Sequence, residues 1–510
     1  MLETPAGPDS PLTPAAAPAA APPITTSSVS PLIGQTVGAH AHQRAVAALL
    51  DSYRAIPPGT GVRLAKRTSN LFRPRTAPSG AGLDVHGLAG VISLDTEPAD
   101  GPATADVQGM CTYEQLVATT LPKGYMPLVV PQLRTITLGG AVTGLGIEST
   151  SFRNGLPHES VLELDVLTGA GDLVTARPTG EHADLFAAFP NSYGTLGYSV
   201  RLRIALERVH PFVALRNVRF GDLDELVAAI GSIVASGSWD GEPVDFLDGV
   251  VFSAAPTATE AYLVLGRWAD DVPAASDYTG RDVYYRSLRD RGRDALTAHD
   301  YLWRWDTDWF WCSKAFGAQH PTVRRLWPAR YRRSDVYHRI VGLEGRYQVA
   351  ARIDRWRGRP ERERVIQDVE VPLAATADFL RWFAGHVPMT PVWLCPLQVR
   401  RDGPLAAGGA LAEGTQPWPL YPLRVGETYV NVGFWGTVPI EPGRADGDVN
   451  RLIEDAVAGF GGHKSLYSDA YYDEADFWSK YGGAAYRPVK ERYDPDGRLL
   501  DLYAKAVRRR

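Results

Sequence analysis

The sequence predicts an α+β fold, on the basis of how its short strands and helices follow one another. Residues 61–209 contain short β-like runs divided by glycine, with only brief helical pieces between them at residues 112–121 and 184–189. Beyond residue 211, an amphipathic stretch at residues 220–238 predicts a longer helix, and further strand-like runs follow it. Short pieces without a regular β-α alternation favour the α+β class over a doubly wound parallel sheet.

The first ordered elements along the chain are a helix and, later, a hairpin. Val46, Leu49 and Leu50 recur at helical spacing, which predicts a helix over residues 40–53. Two alternating runs around a Gly-Ala-Gly-Asp turn predict a β-hairpin over residues 162–175. In the second half, the pattern predicts strands at residues 261–265, 365–371 and 427–435 and a helix at residues 449–460.

Residues 1–31 differ from the rest of the chain in composition, because they consist almost entirely of Pro, Ala, Ser and Thr. Frequent proline prevents a helix, and too few apolar side chains are present to offset the entropy lost on ordering. We therefore predict a disordered tail over these residues.

Charge and composition exclude several classes of protein. The 510 residues include 58 acidic and 53 basic side chains, a net charge of −5, whereas a dedicated nucleic-acid-binding protein is normally basic. No apolar run approaches the ~20 residues that cross a bilayer, and the N-terminus lacks the pattern of a secretion signal. We expect a cytoplasmic, soluble protein that binds no nucleic acid.

The cysteines and histidines do not indicate a metal centre or a disulfide framework. Cys111, Cys312 and Cys395 lie far apart without a C-x-x-C pair, which fits a reducing compartment. None of the 11 histidines stands at metal-ligand spacing with a second ligand type. We expect no metal in the functional site.

The segment at residues 130–155 carries the strongest chemical signal. Among its threonine and serine residues lie Gly139, Gly140, Gly144 and Gly146. Glycine lets the backbone approach a ligand closely, and nearby hydroxyl and N–H groups can bind anionic oxygens, so the segment suits a pyrophosphate. It matches neither the G-x-G-x-x-G dinucleotide motif nor the P-loop. A glycine-rich surface turn is the alternative.

This segment resembles the second flavin-binding stretch of the FAD-linked oxidase superfamily, which has the fold of vanillyl-alcohol oxidase and p-cresol methylhydroxylase (PCMH). The run NSYGTLGYSV at residues 191–200 resembles the superfamily's Gly-Thr-Leu-Gly turn, and residues 67–73 occupy the place of its first pyrophosphate loop without the usual glycines. Within the superfamily, the chain is most similar to the Δ24-sterol reductase (24-dehydrocholesterol reductase, seladin) group. Further matching segments are residues 129–133, 137–156, 184–198, 309–311, 366–373, 391–397 and 466–478.

The resemblance implies a two-subdomain FAD-binding domain of the PCMH type with an inserted α+β cap. We expect the FAD-binding domain at residues 32–212, the cap or substrate domain at residues 213–440, and a C-terminal segment at residues 441–510 that returns to the flavin site. By resemblance, the residues expected to bind FAD are Arg67, Thr68, Ser69, Asn70, Leu71, Thr137, Gly139, Gly140, Gly144, Gly146, Ile147, Ser149, Ser151, Gly194, Gly197 and Val200. Phe152 stands where some relatives carry a histidine linked to covalent flavin, so we expect non-covalent FAD.

The reaction that the resemblance implies is reduction of a sterol side-chain double bond, with NADPH as electron donor and FAD passing on the hydride. The expected substrate is therefore a lipophilic, sterol- or isoprenoid-like small molecule. The apolar anchor of such reductases has no counterpart in the Pro/Ala-rich N-terminus, so the expected membrane contact is at most peripheral. The alternatives are an FAD-dependent alcohol or sugar oxidase or dehydrogenase, and a non-catalytic flavin-fold binding protein. No oligomeric state is predicted.

One candidate catalytic residue lies in the predicted strand at residues 365–371. Strand alternation places Asp368 and Glu370 on one face and Gln367 on the other. The stretch resembles the cap-domain strand that crosses the flavin in this superfamily, where a polar residue at the position of Asp368 faces the ring. A solvated acidic edge strand is the alternative.

Three further polar residues are catalytic candidates by resemblance. Tyr471 and Asp469 match the sterol-reductase pattern, and a tyrosine hydroxyl beside a carboxylate can donate a proton. Asn431 interrupts a strand at a matching position. Core tyrosines, a helix cap and a buried, hydrogen-bonded amide are the alternative interpretations. The aromatic stretch at residues 301–311 either lines a pocket for a large apolar substrate, with Arg304 at its polar end, or packs the core of the cap.

Overall fold

The structure is a computed structural model, and it describes residues 34–66, 72, 82–255, 258–279, 282–347, 352, 356, 358–406 and 408–507. The predicted tail at residues 1–31 and the predicted flavin contacts at residues 67–71 lie outside these ranges. Among the helices that are described, none is both long enough and apolar enough to cross a membrane.

An antiparallel sheet forms the core of the first part of the described chain. Its strands are β1 (Val91–Asp95), β2 (Thr104–Gln108), β3 (Tyr125–Pro127), β4 (Val161–Leu167), β5 (Leu173–Ala176) and β6 (Tyr198–Arg208). They follow the order β1-β2-β6-β4-β5, and β3 pairs with β6. The helices of this part are α1 (Ala39–Arg54), α2 (Tyr113–Thr120), α3 (Leu138–Thr143), α4 (Ser151–Asn154) and α5 (Ala183–Ala188).

A second, eight-stranded antiparallel sheet follows, in the order β12-β7-β11-β10-β14-β15-β13-β16. Its strands are β7 (Phe212–Phe220), β10 (Phe246–Ser253), β11 (Glu260–Ala269), β12 (Arg293–Thr297), β13 (Arg362–Pro372), β14 (Val392–Gln398), β15 (Thr428–Pro439) and β16 (His463–Lys464). A separate two-stranded ribbon is formed by β8 (Ser238–Trp239) and β9 (Glu242–Pro243).

The helices of this second part are α6 (Leu223–Ser236), α7 (Tyr284–Asp290), α8 (Ala298–Leu302), α9 (Pro321–Leu326), α10 (Ser334–Tyr347), α11 (Leu373–His386), α12 (Asp448–Gly459), α13 (Glu474–Lys480), α14 (Gly483–Tyr493) and α15 (Leu502–Ala506). Short 3₁₀ turns lie at Leu121–Lys123, Pro157–Ser160, Cys312–Phe316, Ala329–Tyr331 and Pro404–Ala406.

The predicted fold class and the predicted elements are confirmed. The helix expected at residues 40–53 is α1, and the expected hairpin is the antiparallel pair β4 and β5. The amphipathic stretch at residues 220–238 forms α6, which begins where the Asp222 carboxylate accepts hydrogen bonds from the N–H groups of Asp224 and Glu225. The described chain is an irregular mixture of helices and antiparallel sheets, which is an α+β fold.

The second sheet has one face covered by helices and one face turned towards the functional site. Val369 and Val432 pack into an apolar core with residues of α6, α11 and α12, because alternate side chains of a strand point to opposite faces. Asp368 and Asn431 lie on the other face. Gln367 instead donates a hydrogen bond to Asn450 on α12 (2.6 Å), so the predicted alternation of this strand is confirmed.

The predicted domain boundaries stay a prediction. The first sheet is built between residues 91 and 208, and the second between residues 212 and 464. Two elements of the predicted C-terminal segment, α12 and β16, belong to the second sheet and its helical cover. Farther along, Lys490 donates a hydrogen bond to the carbonyl oxygen of Thr195 (2.8 Å), so α14 contacts the part that contains the first sheet.

Candidate active site

A cavity of about 1040 Å³ is lined by residues from the part of the chain that contains the first sheet and by residues from the part that contains the second. Its volume is at the upper end of the roughly 300–1,000 Å³ that is typical of small-molecule and cofactor sites. One wall consists of residues in the ranges 131–147 and 193–199, which we call the glycine wall. Another wall carries Asp368, Asn431 and Tyr467, and we call these three residues the acid wall.

Two glycines of the glycine wall are required by close packing. A Cβ atom on Gly139 would lie 2.3 Å from Ser199 Oγ and 2.6 Å from the carbonyl oxygen of Gly109. A Cβ atom on Gly146 would lie 2.8 Å from the ring of Pro157. Side chains here would collide with neighbouring protein atoms, so glycine allows this segment to lie directly against β6 and the turn that precedes β4.

Thr137 and Lys66 line the cavity beside Gly140, at the start of α3. The Thr137 hydroxyl caps α3 by accepting a hydrogen bond from the Gly140 N–H (3.2 Å), and it also accepts one from Lys66 Nζ (3.4 Å). A Cβ atom on Gly140 would lie 2.8 Å from Thr137 Oγ1 and would occupy cavity space. This part of the wall therefore offers a hydroxyl group and an ammonium group to an anion.

Positive charge predominates among the groups that line the cavity. The basic side chains that line it are Arg63, Lys66, Arg498 and Lys505. Asp368 is the only carboxylate among the described lining residues. An excess of cationic groups favours an anionic ligand, and pyrophosphate is one such ligand.

The structure brings together eight of the residues that were predicted to bind FAD. Those that line the cavity are Thr137, Gly139, Gly140, Gly144, Gly146, Ile147, Gly194 and Gly197. Ser149, Ser151 and Val200 are buried and do not line it. The Ser149 hydroxyl is hydrogen-bonded to the Tyr301 hydroxyl (2.9 Å), and the Ser151 hydroxyl accepts from the Glu148 N–H (3.1 Å), so both serines have structural partners.

The acid wall is a hydrogen-bonded cluster. Asn431 Nδ2 donates to Asp368 Oδ1 (2.9 Å), and the Tyr467 hydroxyl donates to Asp368 Oδ2 (2.7 Å). Trp435 Nε1 donates to the Tyr467 oxygen (2.9 Å). Gly433 lies directly opposite Asp368 in the β13–β15 ladder, and a Cβ atom there would lie 2.5 Å from Asp368 Oδ1. Glycine at this position therefore makes room for the carboxyl group.

The acid wall has altered proton affinities. Burial raises the pKa of Asp368 to about 6, although the hydrogen bonds from Asn431 and Tyr467 favour its ionised form. Burial and the neighbouring Asp368 raise the pKa of the Tyr467 hydroxyl well above its ordinary value. Asp368 can therefore exchange a proton near neutral pH, whereas Tyr467 stays protonated.

Aromatic side chains enclose the space beside the acid wall. The residues concerned are Trp309, Phe310, Trp393 and Trp435. The Phe310 ring centroid lies 4.2 Å from that of Trp435 and 5.0 Å from that of the buried Trp305. Trp309 and Phe310 have φ values of +48° and +58°, a costly backbone region for bulky residues that persists where the surroundings enforce it.

Arg304 does not form a polar end of this pocket. It is only 2% exposed, and its guanidinium lies 2.9 Å from both Glu148 Oε1 and Asp248 Oδ2. Asp248 Oδ2 also accepts hydrogen bonds from the indoles of Trp305 (3.0 Å) and Trp393 (3.2 Å). Within the aromatic stretch, Trp305 packs in the core, while residues 309 and 310 line the cavity.

Tyr471 and Asp469 do not line the cavity. The Asp469 carboxylate pairs with Arg364 (3.4 Å), and the Tyr471 ring lies under the Arg451 guanidinium at 5.0 Å. Tyr467 takes the position next to Asp368 instead. Its place depends on the pairing of β16 with β13. Because β16 has only two residues, the sequence pattern does not predict this pairing. Tyr467 is therefore a site residue that the sequence pattern did not single out.

Comparison with known proteins identifies the cofactor. Residues 34–177 match the family model described as an FAD binding domain. The chain carries an FAD-binding domain. It is 27% identical to the Delta(24)-sterol reductase of Arabidopsis thaliana over 433 residues, which cover 80% of this chain and 74% of the relative. The Delta(24)-sterol reductase of Homo sapiens is 24% identical over 435 residues, covering 82% and 76%.

A further similarity is confined to a shorter stretch. Cytokinin dehydrogenase 6 of Oryza sativa subsp. japonica is 35% identical over 134 residues, which cover 26% of this chain and 25% of that protein. Together, these findings confirm the predicted resemblance and show an FAD-dependent oxidoreductase with Delta(24)-sterol reductase homologues.

The residues of the FAD-binding domain that the structure describes fit FAD. A Cβ atom at Gly140 would fill cavity space beside Thr137 and Lys66, and these residues would hold the pyrophosphate. Gly194 has a φ of +73°, which favours glycine at this turn of the cavity wall. Phe152 is 4% exposed, packs in the core of the second sheet and does not line the cavity.

Proposed function

We propose that this FAD-dependent oxidoreductase reduces a carbon–carbon double bond of a lipophilic, sterol- or isoprenoid-like substrate. The observation that carries the proposal is the hydrogen-bonded pair of Asp368 and Tyr467, which lies in the FAD cavity beside an aromatic enclosure. The Delta(24)-sterol reductases that the chain resembles support the same substrate class.

Reduction of an alkene adds one hydride and one proton across the double bond. When bound, FAD would supply the hydride from its N5 atom. The chain supplies the proton, for which Tyr467 and Asp368 are the donors on the cavity wall.

The acid form of Asp368 makes this proton transfer feasible. If Asp368 were ionised, loss of the Tyr467 proton would leave a phenolate beside a carboxylate, and like charges at this distance are unfavourable. With Asp368 protonated, Tyr467 gives its proton to the alkene carbon and recovers one from Asp368. The Trp435 indole donates to the Tyr467 oxygen and thereby stabilises the charge that develops on it.

The aromatic enclosure is suited to an apolar substrate. The side chains of Trp309, Phe310 and Trp393 offer broad apolar surfaces, and burying an alkene-bearing chain against them releases water. Exclusion of water also strengthens the hydrogen bonds of the acid wall.

We propose NADPH as the electron donor and non-covalent attachment of FAD. The position of Phe152 in an apolar core supports the second statement, because no nucleophilic side chain is present there. Acid precipitation should release FAD into the supernatant, and FAD that stays with the polypeptide would overturn this part of the proposal.

Anaerobic flavin reduction tests the direction of the chemistry. The oxidised holoprotein is mixed with NADPH, with NADH, or with each member of a panel of alcohols and sugars, and the flavin absorbance is followed. Rapid bleaching by NADPH is the expected result. Bleaching by an alcohol or a sugar, with no response to either nicotinamide cofactor, would favour a dehydrogenase or oxidase instead.

A further inference from the structure

Three buried polar side chains form a row across the second sheet, and one of them, Asn431, also belongs to the acid wall. Glu370 on β13 lies directly opposite His463 on β16 and directly opposite Asn431 on β15. Side chains of directly opposed residues share a face of the sheet and lie side by side. Asp368 is two residues from Glu370 and shares that face, so the row stands next to the carboxyl group of the acid wall.

Each member of this row has a polar atom without a hydrogen-bond partner among the described residues. The atoms are Glu370 Oε2, Asn431 Oδ1 and His463 Nε2. Glu370 and Asn431 are fully buried, and His463 is 6% exposed. A carboxylate oxygen and an amide oxygen are both acceptors, so an ionised Glu370 cannot satisfy Asn431. A buried acceptor that lacks a donor is destabilising.

A protonated Glu370 removes this conflict. Its other oxygen already accepts a hydrogen bond from the Ser465 hydroxyl (3.0 Å), which leaves Oε2 to carry the proton. We propose that Glu370 is a carboxylic acid in the folded protein and donates its hydrogen bond to Asn431 Oδ1. Glu370 is then a positioning residue, because it fixes the Asn431 amide with Nδ2 directed at Asp368.

The charges around Glu370 agree with a neutral acid. Among the described residues, the titratable groups that face it are Asp368 on its own strand, His463 on β16, and Tyr421, whose ring lies 5.2 Å from that of His463. The thiol of Cys395 on β14 lies directly opposite Asn431, and burial raises its pKa well above its ordinary value, so it is uncharged as well. Burial lowers the pKa of His463 to about 3, so this imidazole is uncharged at neutral pH. Burial and the nearby Asp368 raise the pKa of Glu370 well above its ordinary value.

The adjacent lysine does not supply a counter-charge. Lys464 follows His463 on β16, so its side chain points to the other face of the strand. There it is ion-paired with Glu454 and hydrogen-bonded to the carbonyl oxygen of Asp469. An ionised Glu370 would therefore be a buried charge without a cation, whereas the acid form is satisfied.

The proposal predicts how two substitutions act on Asp368. The Asn431 hydrogen bond lowers the pKa of Asp368, so loss of the Glu370 donor should weaken this bond and raise the pKa of Asp368. Glu370→Leu removes the donor. Glu370→Gln keeps a neutral donor of the same shape.

The experiment records kcat against pH for the holoprotein and both variants, with a reducible isoprenoid alkene and saturating NADPH. In Glu370→Leu the pH at which kcat is half-maximal should move upward by about one unit. In Glu370→Gln it should stay at the wild-type value. A downward shift in Glu370→Gln would overturn the proposal, because it would mean that the substitution removed a negative charge beside Asp368. Glu413→Gln, at an exposed site, is the control for the loss of a carboxyl group.

This kinetic test rests on the proposed function, so a second measurement avoids turnover. The infrared spectrum of the FAD-loaded protein at pH 8 should contain a carboxylic-acid C=O band that is absent in Glu370→Gln and present in Asp368→Asn. A missing band in the wild-type protein would overturn the inference about Glu370 even if the alkene is reduced. A band that is present in a protein without alkene reductase activity would instead count against the proposed function alone. If Glu370→Leu does not fold, the proposal is tested by the pH profile of Glu370→Gln and by the infrared band.

Discussion

The glycine wall and the acid wall line the same cavity but are built in different ways. Most of the glycine wall comes from one continuous stretch, residues 131–147, whose small residues let backbone approach backbone. The acid wall joins Asp368 to Asn431, 63 residues away, and to Tyr467, 99 residues away. The glycine wall is therefore local in sequence, whereas the acid wall depends on how three strands pair.

The largest effect is expected on FAD binding when a side chain is introduced into the glycine wall. Gly140→Leu should weaken FAD binding by about 100-fold or more, roughly 2.7 kcal/mol, because the side chain would occupy cavity space beside Thr137. Fluorescence titration of apoprotein with FAD measures the change. Gly221→Leu is the matched control, since a Cβ atom there meets nothing within 4 Å. Unchanged affinity in Gly140→Leu would remove Gly140 from the flavin site.

The next effect concerns the choice between two tyrosines. Tyr467→Phe should lower kcat by about 100-fold with little change in KM, because a positioned general acid contributes roughly 10²–10⁴-fold. Tyr471→Phe should leave kcat close to that of the wild type, because its side chain does not line the cavity. Steady-state kinetics of the two variants decides the matter. The reverse pattern would transfer the role to Tyr471.

These two predictions mark how far the sequence alone could go. The glycine-rich segment was predicted because close backbone packing needs a residue type that composition reveals directly. Asp368 is a candidate by resemblance, and strand alternation places it on the face opposite Gln367, as in the structure. Which of the two faces lines the cavity depends on how β13 pairs with β15. Tyr467 was not selected, because β16 has only two residues and gives no periodic signal. Its position follows from tertiary pairing, in which the Ser465 N–H donates to the carbonyl oxygen of Asp368 (3.0 Å).

The third effect is the pH dependence of the acid wall. The proton donor is active while Asp368 is protonated, and its pKa is raised to about 6. The kcat value should therefore be constant at low pH and fall about tenfold per pH unit above about 6. Asp368→Asn should have a lower kcat without this fall. A wild-type kcat that rises from pH 6 to 8 would contradict the acid role, since it would require the ionised carboxylate.

The smallest effect is expected on stability rather than on activity. It concerns His158, a buried residue next to the glycine wall. Neither ring nitrogen has a hydrogen-bond partner among the described residues, and burial lowers the pKa to about 3. The unfolded chain binds a proton at about pH 6.5, so stability is lost as the pH falls from 6.5 towards 3.

This histidine alone should lower the free energy of unfolding by roughly 2 kcal/mol between pH 8 and pH 5. His158→Leu should remove that share of the acid sensitivity, as measured by urea unfolding at both pH values. An identical pH dependence in wild type and His158→Leu would show that His158 is protonated in the folded protein.

The central claim is that the acid wall delivers a proton to an alkene in an FAD-containing cavity. The most direct measurement mixes the NADPH-reduced holoprotein, without oxygen and in D₂O, with a sterol that has a side-chain double bond. We expect reoxidation of the flavin and solvent-derived deuterium at the alkene carbon that receives the proton, with both much slower in Tyr467→Phe. A flavin that stays reduced with every sterol and isoprenoid alkene tried, in a protein that instead oxidises alcohols, would contradict it.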